Sequence, residues 1–149
     1  MYKIHTMITN ASKYAIRAVV YLAENASENC KLGAKEVSEN VDLPQYFIAK
    51  ILQQLAKGGI INSVKGPQGG FYLSKEKLKH TMLDVIHYID EGEVFTECFI
   101  GLKQCSDEKP CPVHHVVSPF KQQILSELGK TIAVFTKDVK ENGTYLSLD

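Results

Sequence analysis

Apolar residues recur every three or four positions through most of the first half of the chain, and two short apolar runs interrupt that period near its middle. Ala15, Ala18, Val19 and Leu22 fall on one stripe of a helix predicted over residues 11–25, with Asn10 as its cap. Cys30 to Gly33 reads as a loop. A short helix over residues 34–40 turns Val37 inward, and Asn40 to Leu43 makes a turn. Pro44 suits the first turn of a third helix, where its missing N–H is not needed, and the pair Gly58-Gly59 stops that helix. Ile60 to Lys65 reads as a strand, Gly66-Pro67-Gln68-Gly69-Gly70 as a tight turn, and Phe71 to Leu73 as the returning strand. Helix, helix, turn, helix and hairpin in that order make a winged helix-turn-helix, expected over residues 1–80.

The second half, residues 81–149, is patterned differently. Thr81 and Asp84 stand in capping-box spacing and open a helix that ends near Gly92. Residues 93–117 show no sustained period. Ser118-Pro119 is read as the start of a helix of about twelve residues, with Phe120, Ile124, Leu125 and Leu128 on one face. A last short helix is expected between Ile132 and Lys140, and the tail after Gly143 reads as loose. The fold class is therefore mainly α with a small β-hairpin wing, and 149 residues suffice for one domain with a small appendage.

In the third helix, Ile48, Ile51, Leu52 and Leu55 share one stripe and must face the core. Tyr46, Lys50, Gln53 and Lys57 fall opposite, with Ala49 at the edge. A helix lying in the major groove of duplex DNA needs that arrangement, apolar inside and hydrogen-bonding or cationic outside. The N-terminal turns reach deepest, so Gln45, Tyr46, Ala49 and Lys50 are the candidates for base edges. Gln53 and Lys57 are assigned to phosphates, and Lys65, at the base of the wing, to phosphate or the minor groove. An ordinary solvated face and hairpin would look similar, so charge matters. The formal net charge is zero, yet residues 1–80 hold 11 Lys/Arg against 6 Asp/Glu (+5) and residues 81–149 hold 6 against 11 (−5). A basic front half and an acidic back half suit a chain of which only the front meets phosphate.

Three of the four cysteines lie in the aperiodic stretch. Cys98, Cys105, Cys111 and His114 form the pattern C-x6-C-x5-C-x2-H. Three thiolates and an imidazole are a soft ligand set, suited to zinc or an iron–sulfur cluster and not to magnesium or calcium. The gaps are wider than those of paired C-x2-C zinc knuckles and could wrap a two-iron cluster; zinc and plain thiol or disulfide chemistry remain open. Spacing does not separate His114 from His115. Cys30, far upstream, reads as an unligated thiol. Lys103 and Lys109 would favour thiolates, against the opposing Asp107 and Glu108. No general base is placed near these ligands, so an enzyme is not expected.

These residues together resemble the Rrf-two family of bacterial winged-helix regulators, in particular its iron–sulfur, IscR-like members. The resemblance runs from Ser12-Lys13-Tyr14-Ala15 through Leu43 to Leu55, Gly59-Ile60-Ile61, the wing Val64 to Phe71, Asp84-Val85-Ile86 and the cysteine loop. It implies a homodimer crossing through a long dimerisation helix after the cysteine loop, bound to a two-fold site on double-stranded DNA. It also implies a 2Fe–2S cluster on three cysteines and a histidine separated from the third by two residues, the place of His114, with zinc as the alternative. Relatives that use an acidic ligand before the first-helix tyrosine differ here, where Lys13 stands. The first cysteine gap is one residue longer than usual, Ala49 replaces an acidic residue, and Lys65 replaces the wing arginine. These departures leave the fold intact and bear on the DNA sequence read. With no apolar run near eighteen residues and no signal-peptide core in Met1 to Ser12, the chain is expected to avoid membranes and stay in the cytoplasm.

Overall fold

A computed structural model describes residues 7–144. Thr9, one residue before the expected Asn10, caps α1 (Asn10–Asn25): its hydroxyl accepts from the Ser12 N–H at 3.1 Å. Ala15, Ala18, Val19, Val20 and Leu22 of this helix are fully buried. Around it stand α2 (Ala34–Val41), α3 (Gln45–Lys57), α4 (Met82–Asp90) and α6 (Ile132–Glu141), while α5 (His114–Leu128) packs mainly on α4. Arg17 reaches from α1 to donate to the Val41 carbonyl at the end of α2, placing a cation where that helix dipole is negative.

The turn between α2 and α3 is made by Asp42, left-handed at φ 51, a conformation that a short polar side chain tolerates. Pro44 is the N-cap of α3 and not its first helical residue; its carbonyl accepts from the Ile48 N–H at 3.2 Å. At the far end the Ile60 N–H returns to the Leu55 carbonyl at 2.9 Å. The strands are shorter than the runs that signalled them: β1 (Asn62–Val64) and β2 (Gly70–Tyr72) pair antiparallel, Ser63 opposite Phe71. The loop before α2 is not free, since Leu32 exchanges backbone hydrogen bonds with Phe71 at 3.1 and 2.8 Å and anchors the wing to the helical core.

Thr81 and Asp84 form the expected capping box at the start of α4. The Ile132 N–H donates to the His80 carbonyl at 2.7 Å, so the starts of α4 and α6 are tied together. The expectation for α5 is corrected. It begins at His114, not at Ser118-Pro119, and Pro119 lies inside it. Proline is tolerated there because a single i to i−4 bond is lost early in a helix whose outer side faces solvent. The loose tail expected after Gly143 falls largely on residues 145–149, outside the described residues. Among the described residues no helix is long and apolar enough to cross a membrane.

The end of α3 leaves no room for a side chain. A Cβ on Gly58 would overlap the ring of Tyr88, which lies across it from α4. The backbone there is right-handed at φ −77, so alanine would gain in helix propensity and lose in sterics. Overpacking costs about 1–3 kcal/mol, more than the ~1 kcal/mol propensity gain. Gly58→Ala is expected to lower the urea midpoint, and a second change, Tyr88→Ala, to recover part of that loss; a Gly58→Ala chain as stable as the parent would show that the contact is unimportant.

Candidate functional site

The face assigned to DNA is set by the roll of α3. Ile48, Ile51, Leu52 and Leu55 are buried against α1 and α2. With that side fixed, Gln45, Tyr46, Lys50, Gln53 and Lys57 are exposed, and Ala49 is half-buried at the edge. Tyr46 is 73% exposed, unusual for an aromatic side chain. Phe47, which periodicity alone did not single out, braces it: the two rings meet edge-on at 5.6 Å, and Phe47 meets Tyr14 of α1 at 6.3 Å. A neighbouring pair of exposed aromatics at the start of a helix was the available signal. Lys65 follows β1 and is exposed beside the Gly-Pro turn.

The cysteine loop is folded by tight turns. The Gly101 N–H donates to the Cys98 carbonyl at 3.0 Å, Ser106 to the Lys109 carbonyl at 3.2 Å, and His114 to the Cys111 carbonyl at 3.1 Å. These turns bring the sulfurs of Cys98, Cys105 and Cys111 within 4.8 Å of one another. His114, in the first turn of α5, places Nδ1 3.2 Å from the Cys105 sulfur. His115, one position on, is exposed, so the helix separates two histidines that spacing could not. Cys30 is exposed in the loop after α1, which the three sulfurs do not include.

A cavity of about 240 Å³ opens on the three sulfurs and His114, with Val117 and Leu125 of α5 on its wall. Burial alone would raise the Cys98 thiol; the backbone N–H groups of Leu102 and Ile100 and the two neighbouring thiols outweigh it and hold it at about 7. Those groups tune Cys98, where the sequence pointed to Lys103 and Lys109. The Cys111 N–H, 3.4 Å from the Cys105 sulfur, favours its thiolate, yet burial and the adjacent sulfurs leave Cys105 raised. A thiol held at about 7 beside two other sulfurs suits a cation or cluster, since metal binding releases thiol protons. The donor set fits a soft metal or an iron–sulfur group, and three cysteines this close could bind a metal.

Helix α5 carries this site at its start and buries no residue within the chain. Val116 and Phe120 are 62% and 45% exposed. Lys121 donates to the Glu97 carbonyl, tying the helix to the strand of loop just before Cys98.

Comparisons with known proteins bear on this arrangement. The Rrf2 (Rrf-two) family profile, described as "Iron-dependent Transcriptional regulator", matches residues 8–137. An HTH-type transcriptional regulator of Aquifex aeolicus is 35% identical over 120 residues, covering 79% of this chain and 82% of that protein. The HTH-type transcriptional regulator IscR of Xenorhabdus nematophila is 26% identical over 122 residues, covering 82% of this chain and 73% of its own. Among solved structures the fold matches T. potens IscR (TM-score 0.64, 23% identity, 97% of this chain and 96% of that one). It matches CymR, the global cysteine regulator of B. subtilis, equally well (TM-score 0.64, 18% identity, 92% and 98%). With the profile spanning both the winged helix-turn-helix and the cysteine loop, the chain belongs to the Rrf2 family of DNA-binding transcriptional regulators.

Proposed function

We propose that the chain is a homodimeric regulator that reads a two-fold site on double-stranded DNA and is switched by a 2Fe–2S cluster on Cys98, Cys105, Cys111 and His114. The observation that carries this reading is the meeting of three sulfurs within 4.8 Å with a histidine nitrogen 3.2 Å from one of them. When bound, such a cluster supplies a redox-active and releasable cross-link among its four ligands.

Everything else is the work of the chain. Residues 1–80 form the DNA-binding part and residues 81–149 the sensing and pairing part. Cys98 and Cys105 lie in the loop, Cys111 ends it, and His114 is already helical. Holding all four fixes the loop to the first turn of α5, reinforced by the Lys121 bond to Glu97. The exposed Val116 and Phe120 then offer α5 to a second copy of the chain. How two copies sit decides how their α3 helices are spaced against successive turns of DNA. Gln45, Tyr46, Ala49 and Lys50 face base edges in this reading, while Gln53, Lys57 and Lys65 meet phosphates.

A second reading keeps the fold and replaces the cluster with zinc or free thiols, the signal being a metabolite or partner protein. It is supported by the likeness to CymR, whose structure is described as a cysteine regulator. Anaerobically purified protein separates the two. Visible absorbance with equimolar iron and acid-labile sulfide is expected; a colourless chain with stoichiometric zinc would favour the alternative. Cys105→Ala is expected to abolish the absorbance and change the set of operators bound. DNA binding that is identical with and without the cluster would end the switch.

The DNA assignments are checked separately by affinity against salt. Lys65→Ala is expected to weaken binding similarly on all sequences and to reduce the salt slope by about 1. Tyr46→Ala should instead relax preference at one base position by about 1–3 kcal/mol. A salt-independent affinity would remove the phosphate contacts from the account.

A further inference from the structure

Between the second and third cysteines the chain makes a closed turn: the Ser106 N–H donates to the Lys109 carbonyl at 3.2 Å, and the Lys109 N–H donates to the Ser106 hydroxyl at 3.2 Å. Asp107 stands on that turn with its side chain 91% exposed, and its Oδ1 lies 2.9 Å from Nε2 of His114. The His114 side chain is only 19% exposed. Its two nitrogens therefore face different partners, Nε2 the carboxylate and Nδ1 the Cys105 sulfur at 3.2 Å.

A carboxylate only accepts, so a neutral ring carries its proton on Nε2 and turns the lone pair of Nδ1 toward the Cys105 sulfur. Carboxylate–imidazole pairs of this kind set ring orientation and tautomer in metal sites. We infer that Asp107 is a positioning residue that fixes His114 with Nδ1 as its ligand atom. This rests on the proposal that His114 completes the cluster site. A carboxylate was not needed here for charge: Glu108 is adjacent and carries the same charge. What distinguishes Asp107 is the bond, since the turn aims its carboxylate at the ring.

The experiment measures chelator-driven loss of visible absorbance from anaerobically purified full-length protein, together with the nitrogen hyperfine coupling of the reduced cluster. Asp107→Ala should lose the cluster about tenfold faster, the lower end of the usual effect of removing such a partner, and should alter the coupling. Asp107→Glu should recover much of both, and Glu108→Gln should move neither. In a His114→Cys background, Asp107→Ala should make no further difference, because the ring it acts through is gone. Loss as slow as the parent's in Asp107→Ala, or an equal acceleration in both backgrounds, overturns the role; the second would mark a general charge effect. A parent protein without iron and sulfide overturns the cluster reading itself, which the first absorbance spectrum shows before any variant is compared.

Discussion

Helix α1 is surrounded by α2, α3, α4 and α6, and such crowding needs a helix that is both apolar on several sides and low in relief. Ala15 and Ala18 supply the low relief, letting neighbouring backbones come close, and Val19, Val20 and Leu22 fill what remains. Each of the larger three contributes about 1.5–3 kcal/mol by leaving water, so the helix holds its neighbours mainly by many small apolar contacts, to which Ser12 and Arg17 add hydrogen bonds. The consequence for DNA reading is geometric. Once Ile48, Ile51, Leu52 and Leu55 are pressed into this core, the opposite face of α3 has no freedom to roll, and its polar side chains are presented in one orientation.

The end of α4 joins that rigid core to the cysteine loop. Asp90 accepts from the Ser12 hydroxyl at 2.7 Å and from the Thr9 hydroxyl, and a carboxylate at the start of α1 is favoured by the helix dipole. Tyr88 lies on Gly58 at the end of α3. Two residues of one helical turn thus grip both α1 and α3, and Glu91, left-handed at φ 55, then releases the chain into the loop. Beyond this point the cohesion changes in kind. Helix α5 has no fully buried residue and only Leu128 packed partly against the core, whereas α6 returns to bury Ile132. The loop and α5 are held by turns, a few hydrogen bonds and the convergence of sulfurs, interactions that a bound group or a second copy can reinforce at little expense to the core.

Most of the fold was legible because its helices carry one apolar stripe apiece and its breaks carry Gly, Pro or a capping pair. The stripe of α3, the Thr81–Asp84 box and the Gly-rich wing all appear where the residues indicated. Misreadings arose where tertiary contacts override local signals. Pro119 suggested a helix start, but the Cys111–His114 turn had already begun the helix one turn earlier. Leu32 looked like part of a loop because its partner, Phe71, lies far along the chain. At the cysteine loop the residue types announced soft-metal chemistry, yet spacing could not choose between adjacent histidines. On the helix the two rings point about 100° apart, and it is His114 whose Nδ1 faces the Cys105 sulfur. Asp107 was read only as a charge opposing Lys103 and Lys109; its aim at His114 depends on a turn that composition does not encode.

Two side chains bear on how the proposed reading face could work. Ala49 lies half-buried at the edge of the exposed stripe and has no hydrogen-bonding group, so it can touch a thymine methyl but cannot discriminate by donor and acceptor pattern. In the proposed reading, discrimination then falls to its exposed neighbours Gln45, Tyr46 and Lys50. Of these, Tyr46 is the one steadied by other rings, through Phe47 to Tyr14 on the central helix. A braced aromatic loses little conformational freedom on binding, in contrast to a free lysine, which must be ordered at the interface. The same α1 that fixes the roll of α3 therefore also steadies Tyr46 through Phe47, and in the proposed reading specificity at the leading turn is founded on the core.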